Sequence, residues 1–235
     1  MSAFASTPIK LGILGGTFDP VHAGHIHVAE QAKGALDLDG VVLVPAGDPW
    51  MKSGSVVASG RDRMAMVQRA VAHLNAHEEP ESRASLLAPC FSGQGPYFAS
   101  DIEVRRSGQT YTVDTLRELR DLCPQGTQLY LLVGSDAALA FDQWRSPQEI
   151  CQLARVVVIA RPGCILNDFE RQRIEDRVGV AFFDQMEIGA LDLSSTELRR
   201  ALGRLGTDGA FGVDGFEEAL VPEVLDYIRS HGLYY

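Results

Sequence analysis

A cluster of histidines near the start of the chain has side chains suited to binding phosphate. Three of the six histidines, at positions 22, 25 and 27, follow directly on the run Gly15-Gly16-Thr17-Phe18-Asp19-Pro20-Val21. His22 and His25 are three residues apart, so a helix that begins here places both imidazoles on one face. Gly24 lies between them, and its missing side chain predicts a gap in which a phosphate group would fit.

The glycines before these histidines allow the backbone to turn tightly and to approach a ligand. The run fits neither of two common phosphate-binding patterns, because Gly12, Gly15 and Gly16 do not match GxGxxG and the sequence has no GxxxxGK[ST] loop. Asp19-Pro20 offers another interpretation, an N-cap followed by proline at the first helical position, with histidines on an ordinary helix surface. A zinc site is disfavoured because the histidine pair has no third ligand nearby.

A second segment, Leu193-Ser194-Ser195-Thr196-Glu197-Leu198-Arg199, lies far along the chain but has complementary chemistry. Ser194 and Glu197 form a capping-box pattern with an apolar stripe behind it, so a helix is predicted to begin here. The N–H groups and hydroxyls at such a helix start bind phosphate, and Arg199 adds a charged fork one turn further on. The alternative is an ordinary capped helix that binds nothing.

Composition and charge narrow the classes of function. The chain has 235 residues, of which 46% are apolar and 22% charged, as in an average soluble globular protein. The net charge of −10 disfavours nucleic acid as a partner but leaves a small anionic ligand open. No apolar run approaches the roughly 20 residues of a membrane-spanning helix, and the N-terminus has no secretory pattern. The four cysteines form no CxxC pair, which favours reduced thiols and a cytoplasmic location.

Strands and helices alternate along the sequence, and the strands are nearly all apolar, as in a parallel sheet covered on both faces. We therefore predict an α/β fold, a doubly wound parallel sheet with a small C-terminal helical part, whose ligands lie beyond the carboxyl ends of the strands. The predicted strands are Ile9 to Leu14, Val41 to Val44, Leu129 to Val133 and Val156 to Ile159. The predicted helices are His25 to Lys33, Arg61 to His77, Thr112 to Leu122, Pro147 to Leu153 and Asp168 to Val178.

We expect one folded unit made of an α/β domain, residues 1–190, and a helical subdomain, residues 191–235, packed on it. Two stretches do not fit the alternation of strands and helices. Glu78 to Pro96 has no clear period, and Gly203 to Gly215, with five glycines, predicts a mobile loop. Val224, Leu225 and Ile228 have helical spacing, so the tail is predicted to form a helix that docks back onto the domain.

In the segments around His22 and Ser194, the sequence resembles the HxGH nucleotidyltransferase superfamily. GGTFDPVHAGH carries the HxGH element, and SSTELR resembles the C-terminal phosphate-binding element. Further segments narrow the resemblance to the bacterial nicotinate-nucleotide adenylyltransferase family, over about residues 11 to 234. These segments are Val44 to Lys52, Gly108 to Leu116, Gly134-Ser135-Asp136 with Phe141 and Trp144, Arg161-Pro162-Gly163, and Gly232-Leu233-Tyr234.

The resemblance implies a role for each matching position. Catalytic groups are implied at His22, His25, Lys52 and Arg199. ATP-binding groups are implied at Gly15, Gly16, Thr17, Phe18, Gly24, Gly134, Asp136, Arg161, Ser194, Ser195 and Thr196. Nicotinate mononucleotide is expected to meet Tyr111, Thr112, Trp144 and Arg145. The sequence departs from many relatives at Trp50-Met51, where they have a proline–histidine pair, so this loop offers no histidine at that position.

The implied reaction transfers the adenylyl group of ATP to nicotinate mononucleotide, with Mg²⁺ bound to ATP and no metal site of the protein's own. The partners are then the two nucleotides, without nucleic acid or membrane, and a homo-oligomer is left open. Alternatives are a sister adenylyltransferase acting on nicotinamide mononucleotide or phosphopantetheine, and a nucleotide-binding module without catalysis. An NAD-dependent oxidoreductase is disfavoured by the missing GxGxxG pattern.

Overall fold

The structure is a computed structural model that describes residues 7–49, 56–78, 83–160, 165–179, 183–189, 193–208 and 219–235. Its centre is a six-stranded parallel sheet in the order β4-β2-β1-β6-β7-β8, beside a two-stranded parallel pair formed by β3 and β5. The strands are β1 (Lys10–Gly16), β2 (Gly40–Pro45), β3 (Asp48–Pro49), β4 (Tyr97–Ala99), β5 (Gln109–Thr110), β6 (Gln128–Gly134), β7 (Arg155–Ala160) and β8 (Phe183–Glu187).

The apolar strands are buried on both faces, as their composition predicts. Leu43 and Leu132 belong to one hydrophobic cluster, while Val42 and Leu131, their neighbours along β2 and β6, belong to the cluster on the opposite face. Adjacent residues of a strand point to opposite faces, so each strand supplies both cores. The predicted doubly wound α/β fold is therefore confirmed.

Helices cover the two faces of the sheet. They are α1 (Ala23–Leu36), α2 (Gly60–Asn75), α3 (Thr112–Leu122), α4 (Ser135–Ala138), α5 (Pro147–Leu153), α6 (Asp168–Val178), α7 (Ser195–Asp208) and α8 (Pro222–His231). Helices α3, α5 and α6 begin and end at the predicted residues, and the predicted C-terminal helix is α8. The order of the strands reverses between β1 and β6, which sets a topological switch point at their carboxyl ends.

Two sequence-based predictions were wrong. The predicted mobile loop Gly203 to Gly215 is helical up to Asp208, because α7 buries Leu198, Ala201 and Leu202 and this packing outweighs the cost of its glycines. Residues 209–215 lie outside the described part of the chain. Asp19-Pro20 does not cap α1 either, because the N-cap is His22.

The C-terminal helix packs on the main domain. In α8, Val224 and Ile228 are buried in the same cluster as Val67 and Leu74 of α2. The division of the chain at residue 190 stays a prediction. None of the helices within the described residues is long and apolar enough to cross a membrane.

Candidate active site

The candidate site begins in the crevice at the switch point. Gly15, Gly16 and Thr17 line it at the end of β1, and Gly134 lines it at the end of β6. The cavity volume is about 230 Å³, and its walls are mostly apolar with a few polar groups. The other polar side chains along the wall are Glu103, Thr110, Thr112, Thr115 and Trp144.

The two histidines of the HxGH element are held together at the start of α1. The ring centroids of His22 and His25 are 3.8 Å apart, at an interplanar angle of 36°. His22 Nδ1 accepts a hydrogen bond from the Gly24 backbone N–H at 3.2 Å, and His25 Nδ1 accepts one from the His22 N–H at 3.3 Å. A neutral imidazole that accepts at Nδ1 carries its proton on Nε2, so each ring keeps an N–H donor at that atom.

The structure gives a different reason for a glycine at position 24 from the one that the sequence suggested. A Cβ added there would lie 3.0 Å from the His22 ring and 3.7 Å from Cβ of Leu193, just before α7. The missing side chain therefore admits the His22 imidazole and the approach of the second segment, instead of leaving the predicted empty gap.

Helix α7 meets the histidine segment directly. Arg199 Nη1 donates to the Asp19 carbonyl oxygen at 2.6 Å and lies 3.7 Å from Asp19 Oδ2. Ser195 Oγ donates to the Pro20 carbonyl at 3.2 Å. At the start of the helix, the Glu197 N–H donates to Ser194 Oγ at 3.2 Å, as the capping-box pattern predicts. Two segments about 180 positions apart are thus in direct contact.

Asp19 joins these elements, a role that the sequence analysis missed because it considered Asp19 only as a possible N-cap. Its side chain is 1% exposed. Oδ2 accepts from the Val57 N–H at 2.7 Å, and Oδ1 accepts from the Ala58 N–H at 3.0 Å and from the Tyr234 hydroxyl at 2.7 Å. A buried carboxylate needs such a full set of donors, because it has lost its hydration.

Arg63 of α2 is the second residue that the sequence analysis missed. Its guanidinium is buried and donates to three backbone carbonyls, those of Thr17 at 2.8 Å, Gly47 at 3.1 Å and Ala58 at 3.3 Å. Burial lowers the pKa of Arg63, and the nearby Asp19 carboxylate opposes that shift. Three loops at the rim of the crevice are therefore fixed to one side chain.

The far end of the crevice carries the residues expected to bind the mononucleotide. Thr112 and Trp144 line the cavity, whereas Tyr111 and Arg145 lie outside its described lining, with the Arg145 guanidinium 4.7 Å from the centre of the Tyr111 ring. The indole Nε1 of Trp144 is buried and has no hydrogen-bond partner among the described residues.

The remaining predicted residues are placed as follows. Phe18 is buried, and its ring meets that of His25 edge-on with centroids 4.8 Å apart. Thr196 Oγ1 accepts from Arg199 Nη2 at 3.4 Å. Asp136 is exposed in the first turn of α4, beside the end of β6. Lys52, Arg161 and the pair Trp50-Met51 lie outside the described residues.

Comparison with known proteins shows the family of the chain. Residues 13–201 match the cytidylyltransferase-like family. A probable nicotinate-nucleotide adenylyltransferase of Dehalococcoides mccartyi is 35% identical over 97% of this chain and 98% of its own length. One of Nocardioides sp. is 38% identical over 94% of this chain and 92% of its own.

A solved structure shares the fold. The nicotinic acid mononucleotide adenylyltransferase of Plasmodium falciparum complexed with NaAD superposes with a TM-score of 0.69 at 20% identity, covering 96% of this chain and 97% of that one. An α/β sheet with an HxGH segment at its switch point, matched over residues 13–201, defines the class as cytidylyltransferase-like. Within that class, the chain belongs to the nicotinate-nucleotide adenylyltransferase family.

The three hydrogen bonds of Arg63 lead to a testable prediction. We expect Arg63→Lys to lower the free energy of unfolding by about 3 kcal/mol, because a single ammonium group cannot reach three separate carbonyls. Arg61→Lys is the matched control, since Arg61 lies in the same helix but is exposed. Urea denaturation of both variants measures the difference, and equal stabilities would contradict the structural role of Arg63.

Proposed function

We propose that this protein transfers the adenylyl group of ATP to nicotinate mononucleotide, forming deamido-NAD and pyrophosphate. The observation that supports this proposal is the contact of Arg199 with the Asp19 carbonyl, which joins α7 to the segment where His22 and His25 face each other. Curated relatives that cover nearly the whole chain bear the name of this activity. A cytoplasmic location, where NAD is made, is part of the proposal.

The chemistry needs alignment more than it needs a base or a nucleophile. The 5′-phosphate of the mononucleotide attacks the α-phosphorus of ATP, the bond to the bridging oxygen breaks, and pyrophosphate leaves with the electron pair. A phosphate monoester has a second pKa of about 6, so the attacking oxygen is already ionised at neutral pH. Catalysis then consists of holding two anions in line and stabilising the charge that develops on the phosphoryl oxygens.

The described residues supply donors for that charge. The Nε2–H groups of His22 and His25 are proposed to donate hydrogen bonds to the α- and β-phosphates of ATP. Arg199 and the start of α7 are proposed to hold the β- and γ-phosphates, because helix N-terminal N–H groups and a guanidinium both favour anions. Contacts to the rest of ATP are proposed for Gly15, Gly16, Thr17, Phe18, Gly24, Gly134, Asp136, Ser194, Ser195 and Thr196, with Lys52 and Arg161 completing the set.

The nicotinate end is proposed to lie in the cavity between β1, β6 and α3. The Trp144 indole offers a face for the cationic pyridine ring, a favourable cation–π arrangement. Its buried Nε1–H lacks a partner among the described residues, and a bound ligand would supply one. Thr112, Tyr111 and Arg145 are proposed to act near the nicotinate carboxylate.

ATP is proposed to bind as its Mg²⁺ complex, so the metal enters as part of the substrate. Where the histidine segment contacts α7, the side chains are mainly imidazoles, hydroxyls and a guanidinium, which suit phosphate oxygens better than a hard cation. Among the described residues there, the Asp19 carboxylate already accepts hydrogen bonds from Val57, Ala58 and Tyr234. Mg²⁺ on the triphosphate neutralises part of its charge.

The substrate panel tests this function. Purified protein is incubated with ATP, Mg²⁺ and one acceptor at a time, and pyrophosphate release is followed with nicotinate mononucleotide, nicotinamide mononucleotide and phosphopantetheine. We expect the highest kcat/KM with nicotinate mononucleotide. Faster turnover of another acceptor would reassign the substrate, and no release with any acceptor would contradict adenylyl transfer.

In the same assay, His25→Ala is expected to lower kcat by about 100- to 1,000-fold, the usual cost of one transition-state donor. His27→Ala, in the same helix, is expected to stay within about twofold of the unaltered protein, since it removes an imidazole outside the facing pair. Similar losses in both variants would contradict the role of His25. Circular dichroism of each variant controls for folding.

Trp144 gives a separate prediction for the acceptor end. Trp144→Phe is expected to raise KM for nicotinate mononucleotide about tenfold with KM for ATP unchanged, because the smaller ring is a weaker cation–π partner. The change breaks no hydrogen bond within the described residues, so the rise would report a lost ligand contact. Steady-state kinetics with each substrate varied in turn measures it, and an unchanged KM for the mononucleotide would refute the placement.

A further inference from the structure

The C-terminal tail reaches the candidate site through Tyr234. After α8, Gly232 adopts a left-handed conformation with φ of 60°, and the Leu233 N–H donates to the Ile228 carbonyl at 3.0 Å. This turn directs the chain back, and the Tyr234 hydroxyl donates to Asp19 Oδ1 at 2.7 Å. The penultimate residue thus contacts the segment that carries the histidines, 215 positions earlier.

The backbone at Tyr234 is held in an unfavourable conformation. Its φ of 70° lies in the left-handed region, which costs a non-glycine residue of order 1 kcal/mol or more. Such a conformation persists only where the surrounding contacts over-determine it. Here the contact is the hydrogen bond to Asp19, and Tyr234 also lines an open surface cavity together with Val57, Thr196 and Arg199.

Asp19 stands between Tyr234 and Arg199. With the Tyr234 hydroxyl on Oδ1 and the Val57 N–H on Oδ2, the carboxylate is fixed, and Arg199 reaches it only at 3.7 Å while bonding to the backbone carbonyl at 2.6 Å. Without the Tyr234 hydroxyl, the carboxylate would keep only the Val57 and Ala58 N–H donors, and its less satisfied charge would draw the guanidinium into a closer ion pair. The guanidinium would then be less available to a phosphate.

We propose that Tyr234 is a positioning residue for the ATP end of the site, which keeps Arg199 available to the triphosphate by holding the Asp19 carboxylate in place. The inference rests on the proposed function for its kinetic readout. It concerns one end of the crevice only, since the described cavity lined by Thr112 and Trp144 includes neither Asp19 nor Tyr234.

The hydroxyl has the right chemistry for this role. Burial, together with the hydrogen bond and the charge of Asp19, raises the pKa of Tyr234 above its usual range, so the group remains a neutral donor at physiological pH. The next residue, Tyr235, is 52% exposed and differs from Tyr234 by one position. It provides a matched control of the same residue type in the same tail.

The test compares Tyr234→Phe with Tyr235→Phe. Both are assayed below their melting transitions, with KM measured for ATP and for nicotinate mononucleotide and with Kd measured by calorimetry for a non-hydrolysable ATP analogue with Mg²⁺. We expect Tyr234→Phe to raise KM for ATP and Kd for the analogue about tenfold, the cost of a hydrogen bond to a charged group, with KM for the mononucleotide unchanged. Tyr235→Phe should leave all three values within about twofold.

Each other outcome is decisive. An unchanged Kd in Tyr234→Phe, equal rises in KM for both substrates, or the same effect in Tyr235→Phe would overturn the positioning role, because a general loosening of the fold has no preference for one substrate. If the unaltered protein binds the analogue but does not adenylate the mononucleotide, the proposed function fails and the Kd comparison still decides the role of Tyr234. An unaltered protein that does not bind the analogue overturns both.

Discussion

The buried carboxylate of Asp19 imposes a constraint on which the rest of the site depends. An ionised group removed from water is tolerated only when donors surround it, and here the donors come from distant parts of the chain. The donating N–H groups of Val57 and Ala58 precede α2, and the donating Tyr234 hydroxyl follows α8. Arg199 of α7 lies 3.7 Å from the carboxylate and donates to the Asp19 backbone carbonyl. The site therefore forms only when these three regions have reached their final positions.

A local cluster of donors also explains how an acidic chain can bind polyanions. The net charge is −10, yet the segment that carries two facing imidazoles is in direct contact with Arg199 and the start of α7. Donors that are fixed before the ligand arrives do not have to reorganise when charge develops, which is where electrostatic catalysis gains most. Arg63 supports this arrangement, because its hydrogen bonds fix the loops at Thr17 and Gly47.

Sequence reasoning succeeded where the signal is local or continuous. The four long strands are apolar runs, α3 has strong periodicity, and α5 and α6 have clear starts, a proline in the first turn of α5 and a capping box in α6. The short strands Tyr97–Ala99, Asp48–Pro49 and Gln109–Thr110 were missed because two or three residues have no measurable period. The glycines of α7 suggested a loop, because its burial depends on a partner that is distant in sequence.

Part of the site could also be predicted from the sequence. The facing of His22 and His25 follows from a spacing of three residues, and the helix start at Ser194 follows from its cap. Arg63 could not be recognised, because it lies in a charged stretch, GRDRMAM, that is typical of a solvated helix face. Its burial, like the contact of Tyr234 with Asp19, is decided by tertiary packing that no pattern along the chain encodes.

The central claim is that the Asp19 segment brings the imidazoles and the late guanidinium to one triphosphate. A crystal structure of the protein with Mg²⁺ and a non-hydrolysable ATP analogue tests it most directly. The account predicts phosphate oxygens within about 3 Å of both His25 Nε2 and the Arg199 guanidinium in the same molecule. A triphosphate that contacts only one of these groups, or that lies elsewhere on the protein, would contradict it.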